Sequence, residues 1–375
     1  MSEFYQRLGV PTTINAAATF TLLGGALMPA QVLDAMRSAA GANVDMHQLH
    51  LAVGRRLAEI TGNEAAYVTS GCAAGIVLAL LAARNGGDPG RLPELPGHEF
   101  APHEVIMHTV HRIPYDRAVA LAGAHIRQIG DVFQTFAWEL EAAITANTAA
   151  VLYVAGAHLP PTALPLDEVI RIAHAAGVPV IVDAAAQLPP AENLWRFSRG
   201  MGADAVVFSG GKSLRGPQAS GLMVGKAEFI EAARQNGSPY QRWGRAFKAG
   251  KEEIAGLLAA VERFVALDHD GLRRGWRRDV ESWADGLAGV AGTSVSIEET
   301  NEAGQPIPRL HLAIDDPARA AAVVGSFDRL DPRLAVYPDM ALGVTRGFWI
   351  TPDLLEPGQA AIVLGCVRNA LGTTA

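Results

Sequence analysis

The chain has 375 residues, a formal net charge of -7, 49% hydrophobic and 18% charged residues; this length suits a large core with a smaller partner, and the balance excludes a disordered chain. The acidic charge disfavours an extended basic face for nucleic acid. Cys72 and Cys366 form no CxxC or Cys/His ligand spacing, so no disulfide framework and no metal site is expected and a reducing cytoplasm fits.

The N-terminal MSEFYQRLGV lacks a basic start followed by an apolar run, and no apolar stretch reaches the roughly 20 residues of a spanning helix; neither export nor membrane insertion is expected. Helices are predicted over 29–40 and 49–61, the second stopped by Gly62, then a strand over 65–69 and an apolar helix over 72–84. Strands over 104–107 and 125–129 flank a helix over 115–122, and 149–154 is an apolar run suited to a buried strand. An amphipathic helix over 166–176 leads to a strand over 178–182 with Asp183 at its end; a strand over 205–208 ends in Ser209-Gly210-Gly211-Lys212. After Gly250, helices over 252–267, 276–288, 317–326 and 358–371 and strands over 294–298, 308–314, 333–337 and 347–350 suggest a smaller α+β domain. The expected organisation is α/β: a large domain over 41–250 with a mainly parallel sheet, a small domain over 251–375, and an N-terminal segment, 1–40, packing with it.

Three polar punctuations fall at predicted strand ends, where open α/β sheets bind ligands: Ser70-Gly71, Asp183, and Ser209 through Lys212. Singly, each reads as ordinary capping or loop chemistry. Together they meet the needs of pyridoxal phosphate (PLP): an amine for an imine (Lys212), a carboxylate for the ring nitrogen (Asp183), and a helix N-terminus at Ser70, Gly71 and Cys72 for the phosphate, joined by the Ser209 hydroxyl. A P-loop fails because its first glycine would fall on Val206, inside a strand; Gly200-Met201-Gly202 precedes a strand and lacks the third glycine of a dinucleotide fingerprint.

The stretches Ile14-Asn15-Ala16 with Leu23-Gly24-Gly25, Glu64 through Gly71, Pro114 through Ala118, Val182 through Ala185 and Phe208 through Lys212, in that order, resemble the selenocysteine-synthase-like branch of fold-type I PLP enzymes, nearest its D-glucosaminate-6-phosphate ammonia-lyase group. The resemblance implies fold-type I architecture and a homodimer or larger assembly with active sites at the subunit boundary. It also implies a ring over the cofactor's face, for which His111 is the candidate, although His103, His108 and His111 also read as a loop cluster. Selenocysteine synthases carry a further N-terminal tRNA-binding region, whereas here the cofactor motifs begin within the first few dozen residues, so charged tRNA is not expected to bind. Asn15, Gln187 and Arg215 adjoin the motifs as substrate-orienting candidates. Arg245 and Lys248 offer cations for a phosphate or carboxylate, against a solvated helix start as the plainer reading. Asp45 reads as a helix cap, and the loop Gly86–Pro102 as a shaper of the substrate entrance.

The expected function is a lyase releasing ammonia by α,β-elimination from a small amino acid or amino sugar acid, Lys212 taking the Cα proton. The same start permits racemisation, retro-aldol cleavage or transamination. A ligand-binding regulatory protein retaining the fold is the non-enzymatic alternative.

Overall fold

A computed structural model of the protein describes residues 3–87 and 102–373; residues 88–101, the bulk of the proposed entrance loop, lie outside the described residues. The chain forms two compact units, one of residues 28–267 and one of residues 1–27 with 268–375. The divisions expected after residues 40 and 250 therefore fall elsewhere. Helix 30–40 and helix 251–265 both belong to the larger unit and pack together, because Gly256 lets the helices close until an added Cβ would lie 2.8 Å from Met36 Cγ.

The smaller unit opens with α1 (Glu3–Arg7) and β1 (Thr13–Asn15). The larger unit runs α2 (Ala30–Ala40), α3 (Met46–Thr61), β2 (Ala65–Thr69), α4 (Cys72–Asn85), β3 (Glu104–His108), α5 (Arg117–Leu121), β4 (His125–Ile129), α6 (Ala137–Ala143) and β5 (Thr148–Val154). It continues with α7 (Leu166–Ala175), β6 (Val180–Asp183), α8 (Asn193–Trp195), β7 (Ala205–Ser209), β8 (Gly221–Gly225), α9 (Ala227–Asn236) and α10 (Lys251–Val265). Its seven strands form one sheet in the order β2-β8-β7-β6-β5-β3-β4. All neighbours are parallel except β8, which runs antiparallel to both β2 and β7.

Local chemistry sets these elements. The Asp45 carboxylate accepts from the Gln48 N–H at 3.0 Å to start α3, as the sequence predicts, and Gly62 ends it in the left-handed conformation. Helix α4 is buried almost all round and contacts β5, β6, β7 and β8. Leu78 and Leu80 are fully buried on it, worth about 1.5–3 kcal/mol each. Every residue of β6 is buried, as expected of a central parallel strand covered on both faces.

The smaller unit continues with α11 (His269–Leu287), β9 (Thr293–Glu298), β10 (Arg309–Ile314), α12 (Pro317–Phe327), β11 (Arg333–Ala335), β12 (Tyr337–Ala341), β13 (Val344–Ile350) and α13 (Gln359–Thr373). Strands β12-β13-β10-β9 form an antiparallel sheet, and β1 pairs in parallel with β11. Trp283, Phe327 and Phe348 anchor its core. Helix α11 begins a full two turns before the predicted residue 276, with the Asp268 carboxylate capping the Gly271 N–H at 2.9 Å.

Candidate active site

Register places the three punctuations on one sheet edge. Thr69 of β2 and Ser209 of β7 both pair with Gly221, the first residue of β8, and Asp183 of β6 pairs with Val207. The ends of β2, β6 and β7 therefore open toward the same side.

At the end of β2 the chain turns through Ser70 and Gly71 into α4. Gly71 caps the helix at φ 112°, a conformation that favours glycine, and a Cβ there would meet nothing within 4 Å. Ser70, Gly71 and Cys72 are half-buried and Ala73 is exposed, so the start of this helix remains accessible and presents unspent N–H groups and a positive dipole end.

Asp183 is buried. Its Oδ1 accepts from the Ala185 N–H at 3.0 Å and lies 3.6 Å from Cys72 Sγ. No hydrogen bond reaches Oδ2 among the described residues. Burial raises the Asp183 pKa, opposed by the Ala185 N–H, the Lys212 charge, Cys72 and His158. Burial is also the main cause that lifts the Cys72 thiol well above its ordinary range; the Asp183 charge adds to it and the Lys212 charge opposes it. Both shifts put Lys212 within electrostatic reach of Asp183.

Lys212 sits half-buried in the connection from β7 to β8. The Gly210 N–H donates to Ser220 O at 2.9 Å, the Gly216 N–H to Gly210 O at 2.8 Å, and the Arg215 N–H to Lys212 O at 2.8 Å. Backbone packs so closely that a Cβ on Gly211 would stand 2.7 Å from Gln218 Cα. Arg215 takes the left-handed φ of 55° within this loop. The Ser209 N–H donates to Ala185 O at 3.3 Å, tying the lysine loop to the segment after Asp183.

His111 is buried beyond the end of β3, not a loop residue at the surface. Its Nδ1 accepts from the Val154 N–H at 3.3 Å, so the proton of the neutral ring is on Nε2. Its ring lies 4.5 Å from that of Tyr153 and 4.8 Å from that of His108. Burial, with charge from His108 and His158, lowers its pKa to about 3. His158, which sequence reasoning missed, follows β5 and acts electrostatically on both Asp183 and His111. The His158 ring folds over Gly156, where a Cβ would lie 2.3 Å from Cε1 of that ring and 3.0 Å from Gln187 Nε2. Gln187 is buried beside it, and its backbone carbonyl accepts from Asn193 Nδ2 at 2.7 Å. The glycine was the available signal: only a residue without a side chain admits both polar groups.

Asn15 belongs to the smaller unit, and its amide binds its own turn through Ala17 N and Ala18 O. Arg245 is half-buried in a short 3-10 turn, Arg245–Phe247, and Lys248 follows it, exposed. Neither side chain forms a hydrogen bond or ion pair among the described residues. Arg112 is engaged with Asp116 at 2.5 Å. Among the described residues no group of three or more His, Cys, Asp or Glu side chains is placed to hold a metal ion, and no helix is long and apolar enough to cross a membrane.

An amine, a buried carboxylate with one oxygen unengaged and an open helix N-terminus thus meet at one edge. The family model described as L-seryl-tRNA selenium transferase (SelA) matches residues 13–271. The chain is 33% identical over 320 residues to D-glucosaminate-6-phosphate ammonia lyase of Salmonella typhimurium, covering 84% of this chain and 82% of that protein. It is 35% identical over 329 residues to 5'-C-glycyluridine monooxygenase-decarboxylase of a Streptomyces species, covering 85% and 80%. The solved structure of a D-glucosaminate-6-phosphate ammonia-lyase superposes with a TM-score of 0.86 at 29% identity, over 100% of this chain and 99% of that one. Serine palmitoyltransferase of Sphingomonas wittichii shares the fold, with a TM-score of 0.60 at 17% identity over 97% and 88%. The architecture is that of the fold-type I PLP enzymes, and by the extent of the matched region the chain belongs to the L-seryl-tRNA selenium transferase family.

Proposed function

We propose that this protein is a PLP-dependent lyase that releases ammonia from a small amino acid or amino sugar acid, as a homodimer or larger assembly in the cytoplasm. The observation that carries the reading is the convergence of Lys212, Asp183 and the open start of α4 on one sheet edge. Likeness to D-glucosaminate-6-phosphate ammonia lyase over 84% of the chain supports the reaction class. The net charge of -7 supports a small-molecule substrate over a charged tRNA.

The residues present fit the cofactor. Lys212 offers the amine for the aldehyde, Asp183 Oδ2 a buried acceptor for the ring nitrogen, and Ser70, Gly71, Cys72 and Ser209 a set of donors for the phosphate. Bound there, PLP supplies an electron sink for the charge left at the substrate's Cα. The Lys212 amine would hold the cofactor and would serve as the base for the Cα proton. Asp183 holds the proton at the ring nitrogen, a pairing that low dielectric strengthens. His111, neutral, would cover one face of the cofactor ring. Gln187 and Arg215 would orient the substrate with His158, and Arg245 and Lys248 would pair with its phosphate or carboxylate. A leaving group departs from Cβ with its electron pair, and water then releases ammonia and a 2-keto acid.

A second reading has its own support, since the chain is 35% identical to a monooxygenase-decarboxylase. Breaking the bond from Cα to a carboxylate in place of the C–H bond, with dioxygen as oxidant, would use the same amine and carboxylate. Racemisation, retro-aldol cleavage and transamination also share the first step.

The test is borohydride reduction of the PLP-loaded protein followed by peptide mapping, then product analysis. The reading expects the label on Lys212, and ammonia with 2-keto acid in equal amounts without an added 2-oxo acid. Products that require dioxygen and include carbon dioxide would favour the second reading. No labelled lysine would remove PLP and leave a ligand-binding protein of the same fold.

A further inference from the structure

We infer that Cys72 is a positioning residue for Asp183: its thiol donates to Oδ1 alongside the Ala185 N–H, leaving Oδ2 for the cationic ring nitrogen of PLP. The inference rests on the PLP reading above and adds a residue and a role to it. Cys72 Sγ stands 3.6 Å from Asp183 Oδ1, and the Ala185 N 3.0 Å from the same oxygen. Two donors on one oxygen fix the plane of a buried carboxylate, and a carboxylate so fixed loses no rotational freedom when it meets its cation.

The placement of Cys72 gives the contact a second consequence. It is the first residue of α4, so its backbone belongs to the helix start assigned to the phosphate while its side chain reaches Asp183. One residue thereby ties the two ends of the cofactor site together. The thiol is suited to the task because burial and the neighbouring carboxylate keep it protonated; a thiolate there would repel Asp183. Serine cannot substitute by geometry, because an O–H···O bond needs about 2.7–2.8 Å where the sulfur spans 3.6 Å.

Cys366→Ser leaves Cys72 as the single thiol, since the chain has two cysteines. In that background, iodoacetamide should modify the apo protein slowly at neutral pH, with a midpoint above the ordinary thiol range. Asp183→Asn should lower that midpoint, because the charge opposing the thiolate is gone. In the PLP-loaded protein, Cys72→Ala and Cys72→Ser should each lower kcat about tenfold, the scale of one hydrogen bond to a charged group. Both should shift the pH titration of the visible band while leaving PLP on Lys212. An alkylation midpoint indifferent to Asp183→Asn, or an unshifted band titration with full kcat in Cys72→Ala, overturns the inference while borohydride labelling of Lys212 upholds the PLP reading. Absence of any labelled lysine overturns both.

Discussion

Thr69 and Ser209, far apart in sequence, flank Gly221 from opposite sides of β8, each paired with it. Gly221 has no room for a side chain: a Cβ would stand 2.6 Å from the Gly71 carbonyl carbon and 2.7 Å from Thr69 Oγ1. The Thr69 hydroxyl in turn donates to Gly71 O at 2.8 Å. The turn assigned to the phosphate is therefore seated directly on the strand that holds the lysine loop in register.

Gly221→Ala should push the Ser70–Gly71 turn off β8 and weaken PLP binding by about tenfold or more, since overpacking of this kind costs about 1–3 kcal/mol. PLP titration of the apo protein by absorbance reads the effect. Gly365→Ala, at a position where a Cβ would meet nothing within 4 Å, is the control and should bind PLP as the native chain does. Equal affinities in all three proteins would detach the turn from the phosphate.

Asp183→Asn should separate chemistry from retention. The phosphate contacts hold PLP without the carboxylate, so affinity should change by less than roughly tenfold, while solvent deuterium exchange at the substrate's Cα should slow by roughly a hundredfold, the scale of a lost electrostatic partner at a reacting centre. Equal losses in both measurements would make Asp183 a structural residue.

Much of this arrangement was legible in the sequence because buried parallel strands are apolar runs that stop at polar residues, as 178–182 stops at Asp183 and 205–208 at Ser209. Strand β8 was not: Gly221–Gly225 is short, glycine-bounded and carries no alternation, although it is the strand that aligns the turns. Helix α9 was missed because Ala227–Asn236 mixes polar residues among its apolar ones. The Arg-rich start of α11 hid its first turns in the same way. His111 was legible only as one of three neighbouring histidines; His108 is buried against Tyr153 as well, and the bond that His111 accepts from the Val154 N–H at the end of β5 sets it apart. His158 carried no motif at all, and only the contact of its ring with Gly156 brings it to notice.

His111 should remain neutral through any practical assay, because burial holds its pKa near 3. The acid limb of the kcat/KM profile should thus be the same in the native protein and in His111→Phe, although the variant loses the acceptor for the buried Val154 N–H and about 1–3 kcal/mol of stability with it. A limb near pH 6 that vanishes in the variant would show His111 titrating in the reaction.

The last expectation concerns stability and lies away from the site. His50 is 3% exposed, both its ring nitrogens lack hydrogen-bond partners among the described residues, and its ring packs 5.1 Å from that of Tyr67. Burial, then the charges of Arg234 and His47, lower its pKa to about 4, against 6.5 in an unfolded chain. Between those two values the unfolded state binds a proton that the folded state refuses, so stability falls as pH drops through the window and the loss levels off below about 4. His50→Phe keeps a ring against Tyr67 and removes the proton site. Urea unfolding of the apo proteins at pH 7 and pH 4.5 should show the variant losing less stability on acidification, by an amount on the order of 2 kcal/mol. Other titrating groups are shared by the two proteins and cancel in the difference. Parallel losses would mean that His50 titrates alike folded and unfolded, with water reaching its ring nitrogens.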